Sequence, residues 1–335
     1  MRRLTTVILV LALAAAMLAP AAMAETRLTY SCFFPPTHVQ SKLAEAWCAE
    51  VEAKTGGEVV VDYFPGGTLT KAPQAFDGVV QGISDIGMSA LAYSRGRFPV
   101  MAAVDMPLGY TSGLAATEVA NAVYAQFMPE SFKDVAVMYF HAHGPGILHT
   151  AKKPVKTLED MQGLKLRATG NSAKLVEALG GAPVAMSMPD SYQAIQKGVV
   201  DGGMYPIETN KGWKMAEVVD YMTETFPVAY TTTFFVVMNK HKWDQLSPAA
   251  QDAIAQINAE WAAKHAQAWD DSDKEGMDYF LEKGGQVIPL SEAEGERWKA
   301  KAAPMLEAYA EEVNAKGLDG QAIIDYTVQA LDEAQ

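Results

Sequence analysis

The sequence predicts an α/β protein of two lobes joined by one long helix, and three observations predict it. A strand-helix-strand-helix grammar is written twice, once in each half of the chain up to residue 210. The length suffices for two domains with full cores. A helical stretch of some three dozen residues follows, too long for one lobe to need.

The first half opens with a strand over Arg27 to Ser31, then Phe33-Phe34-Pro35-Pro36, a loop of two apolar side chains and a stiff backbone. An amphipathic helix follows from Val39 to Ala53, with Leu43, Ala46, Trp47 and Val51 at helical spacing, and Gly56-Gly57 ends it. Val59 to Tyr63 reads as a strand, Pro65-Gly66-Gly67 as a turn, Gln74 to Gln81 as a helix, and Ile86 to Ser89 as a strand ending toward Tyr93. Val135 to His141 is a strand, and Gly144-Pro145-Gly146 is the expected crossover into the second lobe.

The second half repeats the pattern. Leu164, Leu166 and Ala168 point to one side of a short strand and Lys165 and Arg167 to the other. Gly170 and Asn171 break it, and a helix is expected from Ser172 to Leu179. Gly180-Gly181 end that helix, and PVAM begins a strand. Ser187-Met188-Pro189-Asp190 reads as a helix start, with Ser187 as cap. Gly198 stops this helix, and Val199-Val200 begins another extended run. Tyr230 to Asn239 is a strand rich in β-branched and aromatic residues. Ser247-Pro248 then caps a helix running to Leu281, about 50 Å long if unbroken, with Ile254, Ile257 and Trp261 on its buried face. The segment from Glu292 to Ala334 is helical and charged, with Gly317 and Gly320 as a break.

Residues 1–24 read as a signal peptide. Arg2 and Arg3 form a positive start, Val7 to Ala22 is apolar but shorter than the ~20 residues of a membrane span, and Ala22-Met23-Ala24 is a cleavage site. The expected product is an exported protein beginning at Glu25. The net charge of −13, which becomes −15 without those two arginines, argues against nucleic acid and requires a local positive site for any anionic ligand. Cys32 and Cys48, on a strand and the helix after it, form either a disulfide or a pair of buried free thiols.

No phosphate-binding loop, dinucleotide fingerprint, zinc-protease motif or nucleophile elbow is present, so the expectation is not an enzyme. His141 and His143 share a strand face, with His149 nearby and His38 in a loop. Without a richer cluster of ligating residues, a hydrogen bond to a ligand is favoured over a metal, and no cofactor is expected. Arg167 lies near a strand's carboxyl end, where ligands of such sheets bind. Its planar fork suits a carboxylate, sulfonate or phosphate. Glu159, Asp160 and Asp190 are its candidate structural partners. Phe33, Phe34, Tyr93, Tyr205 and the adjacent Phe234 and Phe235 sit at or near strand ends, where core packing competes with a ligand role. At most one of Phe234 and Phe235 can face a cleft. Met186 and Met188 flank another strand end.

Four segments carry a resemblance: VDYFPGGTLTKAPQAFDGVVQGISDIGMS at 61–89, KKPVKTLEDMQGLKLRATG at 152–170, MPDSYQAIQKGVVDG at 188–202, and the long helix after MNKHKWDQLSPAAQDAI. Over nearly the whole chain after residue 24, it resembles the substrate-binding subunits of tripartite ATP-independent periplasmic (TRAP) transporters, of the DctP type. The resemblance implies a type II-like, two-lobed periplasmic binding protein that closes over a ligand. Residues 25–146 with 232–275 would form one lobe, 147–231 with 276–310 the other, and 311–335 a C-terminal helical tail. It also implies a monomeric periplasmic receptor that delivers its ligand to the small and large subunits of an ion-gradient-driven permease. In this family the arginine matching Arg167 clamps a carboxylate. The sequence departs from the family at two places. GGMYP puts Tyr205 where an asparagine often assists, and HGPGILHT lacks the second arginine of sugar-acid receptors. Both favour a small, keto or aromatic acid, or a sulfonate. The expected ligand contacts are Arg167, His143, Met188, Tyr205, Glu208 and Phe234, with Phe34, His38, Ser89 and Tyr93 facing them from the first lobe. An ABC-transporter receptor, an enzyme on the same scaffold and a sensor subunit are the rival readings.

Overall fold

A computed structural model describes residues 25–335, so the expected signal peptide lies outside the described residues. The chain begins with strand β1 (Thr26–Cys32), helix α1 (Val39–Lys54), β2 (Val59–Phe64), α2 (Ala75–Val80), β3 (Ile86–Ala90), α3 (Gly113–Phe127) and β4 (Val135–Ala142). It continues with β5 (Gly146–Thr150), β6 (Lys165–Ala168), α4 (Gly170–Ala178), β7 (Ala182–Ala185), α5 (Met188–Gln196), β8 (Gly202–Pro206), α6 (Thr209–Gly212) and β9 (Tyr221–Glu224). Last come β10 (Thr233–Asn239), α7 (Lys240–Gln245), α8 (Pro248–Glu282), β11 (Gln286–Pro289), α9 (Glu292–Ala302), α10 (Pro304–Asn314) and α11 (Gly320–Ala334).

The strands form two sheets, as a two-lobed α/β fold requires. One has the order β2-β1-β3-β10-β4 and the other β11-β9-β5-β8-β6-β7. Strands β1, β2 and β3 are parallel, and β10 enters antiparallel between β3 and β4. In the second sheet β6 runs parallel to both β7 and β8, which is the βαβ arrangement read from the sequence. The chain crosses between sheets three times: at residues 143–145, at 225–232, and along α8.

Helix α8 holds the two sheets in one molecule. Ser247 caps it by accepting from Ala250 N at 3.1 Å, and Pro248 occupies its first turn. Ile254, Ile257, Trp261 and Trp269 pack into the core beneath the first sheet, whereas Phe280 packs into that of the second. At Gly276 the helix meets the second lobe closely. A Cβ there would lie 2.4 Å from Ile207 O. Among the described residues no helix is long and apolar enough to cross a membrane.

Several local expectations are corrected. Val199-Val200 is not extended: Gly198 takes a left-handed conformation, Val199 is 54 % exposed, and β8 starts only at Gly202. Gly170 and Asn171 form the first turn of α4, capped by Thr169, rather than a break before it. Strand β10 begins at Thr233, because Tyr230 makes only an isolated bridge to Gly146. The Ser187 hydroxyl donates to Asp190 at 2.8 Å instead of capping a backbone N–H. Of the two readings left open for the cysteines, the structure has the free thiols, with Cys32 and Cys48 both buried. Their thiols point to different partners, Cys32 to Met88 Sδ and Cys48 to Ala44 O. Burial pushes the Cys32 thiol up to about 11, which suppresses the reactive thiolate. In the C-terminal segment, α10 packs on α4 while α11 packs on α3, so these two helices lie against different lobes.

Candidate functional site

The three crossings leave a cavity between the sheets. Phe33, Phe34, Tyr93 and Phe234 line it from the first lobe, and Arg167, Thr169, Met188, Tyr205, Pro206, Glu208 and Thr209 from the second. His143, Tyr230 and Thr232 come from the crossing segments, Trp213 from the end of α6, and Trp269 from α8.

Arg167 sits at the carboxyl end of β6 and is only 4 % exposed. Its Nε donates to Met186 O at 3.1 Å and Nη1 to Met204 O at 3.2 Å, with Nη2 3.5 Å from Tyr93 Oη. No carboxylate pairs with it among the described residues. The three candidate partners are engaged elsewhere: Glu159 with Arg297, Asp160 with the backbone of Lys156 and Thr157, and Asp190 with Ser187. A buried cation satisfied only by two carbonyls and a neutral hydroxyl carries a desolvation cost that an incoming anion offsets. The guanidinium has five N–H donors, so two remain for that anion.

Tyr93 belongs to the first lobe, yet its Oη accepts from Met188 N of the second lobe at 3.0 Å. Its own proton remains free to donate. Tyr205 stacks on His149 at 4.2 Å, and its buried Oη has no hydrogen-bond partner among the described residues. Gly203 makes the corner possible. A Cβ there would lie 2.9 Å from the Tyr205 ring and 3.1 Å from Arg167 Cβ. Burial raises the Tyr205 phenol above its ordinary range despite the nearby Arg167 charge, so it remains protonated.

His143 donates from Nδ1 to Gly144 O at 2.6 Å, which leaves Nε2 as the acceptor of a neutral ring. Burial, and in smaller part the Arg167 charge, hold its pKa down to about 4 against the pull of that carbonyl. The remaining walls are rings. Phe33 stacks with Trp213 and Phe234, and Phe234 stacks with Trp269 at 5.2 Å.

Glu208 follows β8 at the other wall, and its side chain is 2 % exposed. Its backbone N–H donates to Asp273 of α8 at 2.8 Å, and its Oε2 lies 3.1 Å from His38 Nε2. Burial raises the Asp273 carboxyl above the usual range, and the Glu208 and Asp270 charges add to the shift.

Eight of the ten expected residues thus converge on the cavity. The other two do not line it. His38 stands behind the wall, tilted against Phe34 with ring centroids 4.5 Å apart. Ser89 is fully buried and donates to Ala72 O at 2.8 Å, because its side of β3 faces the layer beneath. Of the adjacent pair, Phe234 lines the cavity and Phe235 enters the core. Sequence reasoning missed Trp213 and Trp269. Trp269 continues the apolar stripe of Trp261 and so reads as core. Trp213 follows a helix of only four residues, which has no periodicity to read.

The profile of bacterial extracellular solute-binding proteins of family 7, DctP, matches residues 30–312. The chain is 28 % identical over 243 residues to the 2,3-diketo-L-gulonate-binding periplasmic protein YiaO of Escherichia coli, covering 71 % of this chain and 73 % of that one. Among solved structures, a TRAP periplasmic solute-binding protein from Desulfovibrio salexigens is 33 % identical. The match has a TM-score of 0.81 and covers 92 % of this chain and 97 % of that one. A marine-metagenome TRAP protein specific for aromatic acid ligands, in complex with 3-hydroxybenzoate, is 29 % identical. Its TM-score is 0.88, with 93 % and 99 % covered.

Proposed function

Because the chain belongs to the DctP family of TRAP solute-binding receptors, we propose that it captures a small aromatic carboxylate in the periplasm. It closes over this ligand and delivers it to the subunits of a membrane permease, without chemical turnover.

The observation that carries this reading is Arg167, a buried cation at a strand end with no carboxylate partner among the described residues and two donors to spare. The Tyr93 hydroxyl and the unpartnered Tyr205 Oη stand beside it to complete the carboxylate's shell. The ring walls favour a flat apolar body over a polyhydroxylated chain, most of whose hydroxyls would lose water against the faces of Phe33, Phe34, Trp213, Phe234 and Trp269. The aromatic-acid specificity of the metagenomic relative agrees with this choice.

A thermal-shift panel of aromatic carboxylates, keto acids, sugar acids and small sulfonates tests the reading. A ligand at about 100 times its Kd adds roughly 2.7 kcal/mol, enough to raise the midpoint by a few degrees. Aromatic carboxylates are expected to give the largest shifts. Stabilisation by sugar acids alone, or by no anion in protein stripped of co-purified ligand, would overturn it. Mass spectrometry of the incubated acid should recover it unchanged.

A further inference from the structure

The cavity has a second polar pole. Glu208 lies in its wall, away from the Arg167 corner, and is held from behind. Gly276 of α8 approaches so closely that a Cβ there would be 2.8 Å from Glu208 Cα, and Asp273 of the same helix takes the Glu208 backbone N–H. The His38 tautomer follows from its partners. Gln40 N is a backbone donor and points at His38 Nδ1 at 3.2 Å, so Nδ1 is the acceptor and the ring proton sits on Nε2. His38 therefore donates to Glu208 Oε2 as a neutral ring. One carboxylate oxygen is occupied, and Oε1 has no hydrogen-bond partner among the described residues.

The two poles are joined by a row of rings. Tyr93, which contacts the Arg167 guanidinium, is 5.8 Å from Phe33. Phe33 is 4.1 Å from Phe34, and Phe34 is 4.5 Å from His38, the partner of Glu208. The cavity thus presents the Arg167 guanidinium at one pole, rings between, and the Glu208 carboxylate at the other.

We propose that Glu208 selects an aromatic acid bearing a hydrogen-bond donor, a hydroxyl or an amino group, on the part of the ring turned away from its carboxylate. The inference rests on the carboxylate reading of Arg167. Glu208, whose side chain is 2 % exposed, rewards such a donor with a charge-assisted hydrogen bond. It also fixes the ligand's direction, since a carboxylate placed against it is repelled. A ring acid with a second carboxylate is disfavoured for the same reason.

Calorimetric titration of the wild type and Glu208→Gln with benzoate, the hydroxybenzoate and aminobenzoate isomers, and the benzenedicarboxylates decides the matter. In the variant the His38 proton takes the amide oxygen and turns the NH2 group into the cavity, so an acceptor becomes a donor. The best donor-bearing isomer is expected to bind the wild type about tenfold or more tightly than benzoate, with the dicarboxylates weakest. The variant should lose that preference and gain affinity for dicarboxylates. The hydroxyl and amino series show which donor the site takes. Benzoate binding the wild type as tightly as every donor-bearing isomer would overturn the inference and leave the proposed function standing, as would retention of the preference in Glu208→Gln. The wild-type ranking stands as a test even if the variant fails to fold. Binding of none of these acids would overturn both readings.

Discussion

At the residue scale the site depends on a charge that the protein buries without neutralising. Arg167→Ala should lower affinity for the bound acid by about 30-fold to several-thousand-fold, corresponding to about 2–5 kcal/mol. Its partners are two backbone carbonyls and a tyrosine, so the fold should persist; circular dichroism and calorimetry together check both halves of the claim. His143 carries a pH dependence. Its folded pKa of about 4 lies below the ordinary 6.5, so the folded state holds the ring neutral while the unfolded chain protonates more readily. The stability it contributes is complete above 6.5 and is lost as pH falls toward 4, on the order of 3 kcal/mol. Asp105, raised to about 7 by burial, acts in the opposite direction, so the wild-type profile alone does not isolate the histidine. His143→Gln should flatten the decline in urea-unfolding stability between pH 6.5 and 4 relative to wild type. A parallel decline in both proteins would refute the assignment.

At the element scale α8 is the member whose sequence and position agree most closely. Its cap, its apolar stripe and its length were all legible. What the sequence does not disclose is that the stripe serves the first lobe as far as Trp269 and that the helix then serves the second. Gly276 marks that second contact. In an exposed helix Gly→Ala stabilises by about 1 kcal/mol. Here the added methyl meets backbone at Ile207, so Gly276→Ala should instead lower stability by about 1–3 kcal/mol. A melting curve gives the sign directly, and a raised midpoint would mean that helix and lobe are not held at this distance. The misread Val199-Val200 shows how pairing overrides composition. Val199-Val200 has the composition of a strand, but the ladder begins only where Gly202 passes the backbone of His149 and Thr150.

At the scale of the whole molecule, hydrogen bonds join the lobes around the cavity. Tyr93 binds Met188 N and Arg167, His38 binds Glu208, and Asn171 Nδ2 donates to Ala102 O. Affinity in such a device is the extra stability that a ligand gives the closed arrangement. Tyr93→Phe removes the acceptor that Arg167 and Met188 share and the donor beside the carboxylate. It should weaken binding by about tenfold, chiefly through faster dissociation. Stopped-flow kinetics would show this as a raised off-rate with the on-rate nearly unchanged. A change confined to the on-rate would assign Tyr93 to encounter rather than closure.

The sequence alone determined the α/β class, the duplicated grammar and the spanning helix, and it singled out Arg167 as the candidate anion-binding residue. Each is local: a two- or 3.6-residue period, a cap, or one charge at a strand end. It also pointed to Phe34, Tyr93, Met188 and Tyr205 as strand-end residues, without separating a cavity wall from a core. Only the tertiary structure decided that separation. It turned Ser89 inward and set His38 behind Phe34. It brought Trp269 into the wall from a distant helix, and it left the two cysteines apart as free thiols. The physical reason is that a side chain's role here depends on which lobe it faces across the cleft, and that relation joins residues 69 to 170 positions apart.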